Sequence, residues 1–101
     1  MPNLTIEFHE FAREEISDAY NYYENKQFRL GIKFFDAIED TLDLILEHPE
    51  AFPLEFDTVR KAVVKKFPFI ILFTTATDSV IYVVAVFHTG QAPSKWKKRL
   101  T

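Results

Sequence analysis

Four basic side chains and one histidine in this sequence are of the types needed to cleave RNA. His88 follows a long apolar run and precedes a basic C-terminal segment. A histidine at such a position is suited to donate or accept a proton, and nearby cations would bind phosphate groups. The candidate residues for this chemistry are Arg60, Lys61, Lys65, His88 and Arg99. The alternative is that His88 is a hydrogen-bonded structural residue.

Four acidic residues recur at intervals of four, three and four, which places them along one face of a helix. They are Asp36, Asp40, Asp43 and Glu47. Carboxylates can bind a divalent cation, but no second acidic helix face and no Glu-x-x-His motif accompanies them. We therefore predict no metal site and interpret the stripe as a solvated face, open to Arg or Lys side chains of a partner.

Composition excludes several kinds of site. The chain has no Cys, and its two glycines are too few for a Gly-rich phosphate loop. The pI of about 5.6 is low for a general nucleic-acid-binding protein. Charge is nonetheless uneven, because residues 1–57 hold 14 Asp and Glu against 4 Lys and Arg, and residues 58–101 hold 1 acid against 8 bases. The asymmetry indicates a charged partner on one side of the molecule. Alternatively, the helices carry acids for solubility and lysines at strand edges prevent pairing with other chains.

Hydrophobic periodicity predicts the elements that would position these residues. Residues 4–8 alternate as a strand does, and apolar residues recur at helical spacing over about 10–25 and again over 34–45. His48-Pro49 ends the second helix, because the residue before a proline disfavours the α region. Residues 27–31 are a turn or the start of the second helix, and so short a linker would make the two helices antiparallel.

The second half reads as β-structure. A loop at 50–57 precedes strands at 58–66, 69–73 and 80–87, with turn residues at 77–79. The predicted fold is α+β with the order β-α-α-β-β-β. An antiparallel-dominated sheet would carry the helical hairpin on one face, followed by a short C-terminal tail or helix.

Strand alternation predicts where side chains point. In the first strand of the second half, Arg60 and Lys66 would face one way, and Lys61 and Lys65 the other. The last strand is apolar on both faces, with Val80, Tyr82, Val84 and Val86 opposite Ile81, Val83, Ala85 and Phe87. Two helices cover one face. The other face needs the tail, a second copy or another protein, and Trp96 is a candidate for that cover.

Length and hydropathy bound the class of protein. The 101 residues are enough for one domain, predicted to span 1–101. The first residues lack a basic region followed by an apolar run, and the longest apolar runs fall far short of the ~20 residues that cross a bilayer. We predict a cytoplasmic protein without a cofactor and without a membrane partner.

The motifs resemble the RelE/ParE toxin superfamily over almost the whole chain. In the helical hairpin the resemblance is carried by Ala12, Glu15-Ile16, Ala19, Tyr22-Tyr23, Gly31, Phe35 and Ile38. In the later part it is carried by Pro49, Phe52-Pro53, Val59-Arg60-Lys61, Phe67-Pro68-Phe69, Val83-x-Ala85-Val86-x-His88, Pro93 and Trp96-x-x-Arg99. The chain departs from the usual family tail at Gln91, where Arg is common.

The resemblance implies that the chain is the toxin of a bacterial type II toxin–antitoxin pair. Such a toxin arrests growth, and such a pair can stabilise a plasmid. Its antitoxin would wrap the toxin through helix-in-groove and strand-addition contacts. RelE-like members cut mRNA on the ribosome, whereas ParE-like members inhibit DNA gyrase. The chain is more similar to the ParE type, because a Trp-bearing tail without a late Tyr follows His88 and the acidic pI argues against binding of ribosomal RNA. Gln91 removes a cation near His88, which weakens phosphate binding there.

Three functions stay open at this point. The first is a toxin that binds gyrase and is neutralised by an antitoxin, which is a binding protein rather than an enzyme. The second is a ribosome-dependent endoribonuclease that uses the basic residues and His88. The third is a non-toxic binding module, and a homodimer within the complex is open in each case. Candidate partner-binding residues are Tyr22, Tyr23, Asp36, Asp40, Asp43, Glu47, Trp96, Lys97, Lys98 and Arg99.

Overall fold

The computed structural model describes residues 4–91, 96, 98 and 99. Its elements are β1 (Thr5–Phe8), α1 (Glu10–Lys26), α2 (Leu30–Glu47), a 3-10 turn (Pro49–Ala51), β2 (Leu54–Phe56), β3 (Val59–Val63), β4 (Phe69–Thr77) and β5 (Val80–His88). The strands form one sheet in the order β1-β5-β4-β3-β2. β1 runs parallel to β5, and the other pairs are antiparallel. The predicted α+β fold with a helical hairpin is confirmed.

The predicted loop at 50–57 is wrong in one respect, because it contains β2. This three-residue strand pairs with β3 across a two-residue turn, in which Asp57 adopts a φ of 47°. Leu54 pairs with Arg60 and Phe56 with Val59. The three residues of β2, between Pro53 and the turn, are too few to show the alternation of apolar and polar residues that indicates a strand.

β3 is shorter than predicted. It ends at Val63, and the Val64 amide donates to the Phe69 carbonyl at 2.9 Å. Lys65 and Lys66 therefore lie in the turn that leads into β4, where Lys66 has a φ of 71°. The prediction that these two lysines lie on opposite strand faces is wrong, because the chain must reverse here to pair β4 with β3.

A short turn joins the two helices, and a side chain of α1 caps the start of α2. The Glu24 carboxylate accepts hydrogen bonds from the amides of Arg29 at 3.1 Å and Gly31 at 3.0 Å. These amides would otherwise lack partners at the start of α2. At the other end of α1, His9 Nδ1 accepts from the Phe11 amide at 3.1 Å. His9 is thus the helix cap, as its position at the end of an element indicates.

Gly31 lets the two helices approach closely. A Cβ at this position would lie 2.6 Å from the Tyr20 carbonyl oxygen, which belongs to the backbone of α1 and cannot rotate away. We expect Gly31→Ala to lower the free energy of unfolding by about 1–3 kcal/mol, despite the better helix propensity of alanine. Urea denaturation followed by circular dichroism measures the change. Gly90→Ala, the same substitution in an exposed turn, is the control, and an equal loss in both variants would contradict the close-packing explanation.

The larger core lies between the helices and the sheet. Ala12, Phe34, Ile38 and Ile45 from the helices pack against buried strand residues, with Tyr23, Phe67 and Phe69 at one end. Phe35 belongs to the predicted helical repeat of apolar residues over 34–45, but it lies outside this core. It stays substantially exposed on the outer side of α2.

A β-bulge changes the predicted alternation of β5. Leu72 pairs with Ala85 and Phe73 pairs with Val83, so Val84 is an extra residue. Beyond it, Val86 joins Ile81 and Val83 in the helix-side core, whereas Ala85 and Phe87 belong to the opposite cluster. Val84 stays on the predicted face with Tyr82, whereas the predicted faces for residues 85–87 are wrong.

The opposite face of the sheet has its own buried cluster. It consists of Val59, Leu72, Val84, Ala85, Phe87 and Trp96. The Trp96 ring stacks on Phe87 with centroids 3.9 Å apart and an angle of 25° between the planes. The prediction that Trp96 covers this face is confirmed. None of the helices in the described residues is long and apolar enough to cross a membrane.

Candidate functional site

His88 lies at the rim of a groove of about 540 Å³ between α1 and the paired ends of β4 and β5. We call it the His88 groove. Its lining includes Asp18, Tyr22, Tyr23 and Lys26 from α1, and Pro68, Phe69 and Gln91 from the sheet side. His88 is exposed at the last position of β5, directly opposite Phe69 in the register. The predicted placement of His88 at a strand end is confirmed.

The hydrogen bonding of His88 limits its chemistry. Nδ1 accepts from the Gly90 amide at 3.0 Å, and the ring packs edge-on against Phe69 at 5.6 Å. When neutral, the ring therefore carries its proton on Nε2. Nδ1 is then occupied as an acceptor and Nε2 carries the proton, so the neutral ring has no lone pair left for a general base.

Two tyrosines and a lysine form the α1 wall of the His88 groove. Tyr22 is exposed, and the Lys26 ammonium lies 4.9 Å from the centre of its ring. A hydrogen bond with Tyr22 raises the pKa of Lys26, so this cation persists well above neutral pH. Burial raises the pKa of Tyr23, which packs against Phe34 and Phe67 and stays neutral. Tyr22 is thus available to a partner, while most of Tyr23 belongs to the core.

Three of the candidate nuclease residues, Arg60, Lys61 and Lys65, lie outside the His88 groove. Arg60 pairs with Phe73 and His88 with Phe69, so they stand four residues apart along β4, about 13 Å, and on opposite sides of that strand. The Arg60 guanidinium donates to the Phe52 carbonyl at 2.6 Å. Lys61 forms an ion pair with Glu55 at 3.6 Å. Lys65 lies in the turn before β4, on a different groove from His88.

Arg99 is held by Glu15 of α1. The guanidinium donates to both carboxylate oxygens at 2.9 Å, and Nη1 also donates to the Val84 carbonyl at 2.9 Å. The same carboxylate accepts from the Val86 amide at 3.0 Å and from Trp96 Nε1 at 3.2 Å. We call Glu15, Trp96 and Arg99 the Glu15 clamp.

The Glu15 clamp completes the edge of the sheet. β1 pairs with β5 only as far as Val83, so among the described residues no strand lies beside the backbone of β5 beyond this point on that side. Glu15 and Arg99 satisfy the Val86 amide and the Val84 carbonyl there. Buried backbone groups require such partners, so Trp96 and Arg99 have structural contacts that compete with any role in partner binding.

Sequence reasoning missed the role of Glu15. It entered only as part of the family resemblance, although it falls beside Ala12, Ile16 and Ala19 on the inward side of α1. An acid on the buried side of an amphipathic helix indicates a partner, since unpaired carboxylates are rarely buried. That signal points to a contact but not to the identity of the partner.

The acidic stripe of α2 borders a second groove of about 1020 Å³. Asp36, Asp40 and Asp43 line it from α2, and Lys65 and Lys66 line it from the turn between β3 and β4. We call it the α2 groove. Its other lining residues are Leu30, Lys33, Ala37, Thr41, Leu44, Phe52, Val63 and Phe67.

The remaining candidates lie elsewhere. Glu47 is exposed on the last turn of α2, outside the lining of the α2 groove. Lys98 is exposed beside the clamp, and Lys97 lies outside the described residues. Within residues 4–91, 96, 98 and 99, no group of three His, Asp or Glu side chains is arranged to hold a metal ion.

Comparison with known proteins identifies the class. Residues 6–93 match the family model for the ParE toxin of the type II toxin–antitoxin system parDE. The chain therefore belongs to the ParE toxin family, and the prediction of a ParE type is confirmed.

A solved structure agrees with this fold. A chain of the chromosomal ParDE toxin–antitoxin system from P. aeruginosa superposes with a TM-score of 0.60 at 15% identity. The alignment covers 84% of this chain and 95% of that chain. A comparison with curated protein sequences finds no match.

Proposed function

We propose that the chain is the toxin of a type II toxin–antitoxin pair, that it acts by binding DNA gyrase, and that a cognate antitoxin neutralises it. The observation that carries the proposal is the dispersal of the candidate nuclease residues. Arg60, Lys61 and Arg99 each have a partner within the fold, and the ring of His88 presents a donor. Membership of the ParE family supports the same proposal.

The exposed surfaces agree with a protein that acts through binding. Charged and aromatic side chains line both grooves, and several large apolar side chains are exposed, among them Phe28, Leu44 and Val63. Aromatic and apolar residues at grooves are typical of protein interfaces. A cytoplasmic target and a cytoplasmic antitoxin would fit the absence of cysteine in the sequence.

Expression of the chain without its antitoxin tests this function. We expect growth arrest with induction of the DNA-damage response, because trapped or inhibited gyrase damages the chromosome. His88→Ala is expected to arrest growth equally, since His88 is not required as a catalytic base. Colony counts, a damage-response reporter and total mRNA profiles are measured together.

Two results would count against the proposal. Rapid, codon-phased loss of mRNA, abolished by His88→Ala in soluble protein, would favour the ribosome-dependent endoribonuclease. Harmless expression of well-folded protein would favour a binding module without toxicity. Co-expression with the product of an adjacent short reading frame is the control that shows neutralisation.

A further inference from the structure

We propose that the outer side of α2 is a two-fold interface with a second copy of the chain, in which the two α2 helices pack side by side in antiparallel orientation. Phe35, which lies outside the core between the helices and the sheet, belongs to this side. Self-association through it is independent of the target that the proposed function assigns to the toxin.

An apolar row lies along one side of α2. It consists of Ile32, Phe35, Leu42 and Leu46, with Glu39 as its one charged member. The intervals of three, four, three and four are those of the contact seam between two helices that pack lengthwise. We call these five residues the outer row.

The outer row is uncovered where α2 begins. Phe35 is 44% exposed and Ile32 is 41% exposed, and Phe28 in the preceding turn is 80% exposed. Leu42 and Leu46 are partly buried against the core. Large apolar side chains exposed next to one another mark an interaction surface, and the spacing of the row favours a helix as its partner.

Two outer rows match when one of them is reversed. α2 contains 18 residues, which gives about 27 Å at about 1.5 Å per residue. With the two-fold axis midway along the row, Ile32 of each copy lies at the level of Leu42 of the other, and Phe28 reaches the level of Leu46. Contact between the rows would remove the exposed apolar surface from water, which is the main favourable term in such an association.

The charges of the helical hairpin select a second copy in the reverse orientation. Three of the four bases in residues 1–57 lie at the end of the hairpin that contains the turn, and they are Lys26, Arg29 and Lys33. The other end of the hairpin carries Glu10, Asp43 and Glu47. A partner with charge of one sign would match only one end, whereas an antiparallel copy matches both ends.

Within one chain, α2 has its charges in the unfavourable order. Its first turn holds no acid and its last turn holds no base. Lys33 therefore stands near the positive end of the helix dipole, and Glu47 stands near the negative end. An antiparallel second copy would bring acids to the first of these ends and bases to the second.

A residue of the opposite sign lies at each end of the hairpin, and each has a contact of its own. Near the turn, the Glu24 carboxylate accepts hydrogen bonds from the amides of Arg29 and Gly31. At the other end, the Arg13 guanidinium lies 5.2 Å from the centre of the Phe8 ring. Among the side chains that the structure describes, those at the two ends of the hairpin form no ion pair, so their charges stay available to a second copy.

Arg29 fixes the order of the charges in the proposed dimer. It is the residue directly before α2, and in the antiparallel pair it reaches the level of Asp43 and Glu47 of the other copy. The attraction acts twice, once at each end of the interface. Asp36 lies near the axis and meets its own copy, which opposes association, so we expect a weak dimer.

Sedimentation velocity of the purified chain over a range of concentrations tests the interface. We expect a reversible equilibrium of monomer and dimer with a dissociation constant on the order of 10 μM. Arg29→Glu and Asp43→Arg each place like charges at both ends of the dimer, so each is expected to weaken it about tenfold. Asp78→Arg, in the turn between β4 and β5, is the control and is expected to change the constant by less than about threefold.

Mixing the two weakened variants distinguishes a two-fold pair from a general effect of charge. In a heterodimer of Arg29→Glu with Asp43→Arg, opposite charges meet again at both ends. We therefore expect the equimolar mixture to associate more tightly than either variant alone and to approach the parent chain. Asp36→Asn removes the repulsion near the axis and is expected to tighten the dimer about threefold.

A second set of variants tests the apolar contact. Phe28→Ser and Phe35→Ser alter exposed side chains, so we expect the fold to be retained, which circular dichroism checks. Each is expected to weaken the dimer about tenfold. Leu54→Ser, on the exposed edge strand β2, is the matched control and is expected to change the dimer little.

Three results would overturn the interface. The first is a parent chain that stays monomeric at about 200 μM. The second is a dimer that the Arg29, Asp43 and Phe35 variants leave unweakened, or a mixture of the charge variants that recovers nothing. The third is a monomeric chain whose binding to the product of the adjacent reading frame is weakened by Phe35→Ser, which would assign this side of α2 to the antitoxin. Each of these results leaves the proposed function standing, because that function does not depend on self-association.

Discussion

Replacing Trp96 with Ala is expected to lower the free energy of unfolding by about 3–5 kcal/mol. Trp96 is 3% exposed and stacks on Phe87, which is itself 2% exposed. Its removal uncovers the cluster on the face of the sheet opposite α1 and α2. Truncation of a buried aromatic residue loses both the transfer free energy and the packing around the cavity.

Urea denaturation followed by far-ultraviolet circular dichroism measures this loss, because the variant lacks the single tryptophan of the chain. Trp96→Phe is the matched control. It keeps an aromatic ring on Phe87 but loses the hydrogen bond to Glu15, so we expect a loss of about 1–2 kcal/mol. A loss under about 1 kcal/mol for Trp96→Ala would mean that Trp96 does not cover this face.

Replacing Glu15 with Ala is expected to lower the free energy of unfolding by about 2–4 kcal/mol. The carboxylate holds the Val86 amide, Trp96 Nε1 and the Arg99 guanidinium. Its removal leaves a partly buried cation and an unsatisfied strand amide. The side chains of Arg99 and Glu15 are 16% and 25% exposed, so solvent screening keeps the loss below that of a fully buried pair.

Glu14→Ala is the control for this prediction, because Glu14 is the adjacent acid on the exposed side of α1. We expect it to change stability by less than about 0.5 kcal/mol. The double variant of Glu15→Ala and Trp96→Ala should lose less than the sum of the single variants, since they share one contact. Equal effects for Glu14→Ala and Glu15→Ala would show that the clamp contributes nothing.

The helices could be predicted because the apolar periodicity and the residues that end a helix indicate the same elements. Apolar residues recur at helical spacing in both, and His48-Pro49 ends α2 where predicted. β2 and the bulge at Val84 could not be predicted. A three-residue strand is too short for a pattern, and a bulge leaves the local residue types unchanged while it shifts every later side chain to the other face.

The residues of the candidate surfaces could be predicted individually, but the way the fold brings them together could not. Helical spacing placed Asp36, Asp40 and Asp43 on one face, and the apolar run placed His88 at a strand end. The meeting of these acids with Lys65 and Lys66 depends on where β3 stops, which the predicted strand overran by three residues. The pairing of Arg99 with Glu15 joins residues 84 positions apart, and no local pattern indicates such a contact.

Three of the candidate nuclease residues have partners within the fold. Arg60, Lys61 and Arg99 stabilise the fold through the Phe52 carbonyl, Glu55 and Glu15. Each of these three residues therefore has a structural contact, and the two grooves are the surfaces that we propose for binding.

The central claim is tested most directly by adding purified chain to a gyrase supercoiling reaction and, in parallel, to a ribosome-programmed primer-extension reaction. We expect dose-dependent loss of supercoiling, restored by the antitoxin, together with intact mRNA. Codon-phased cleavage of mRNA with normal supercoiling would contradict it.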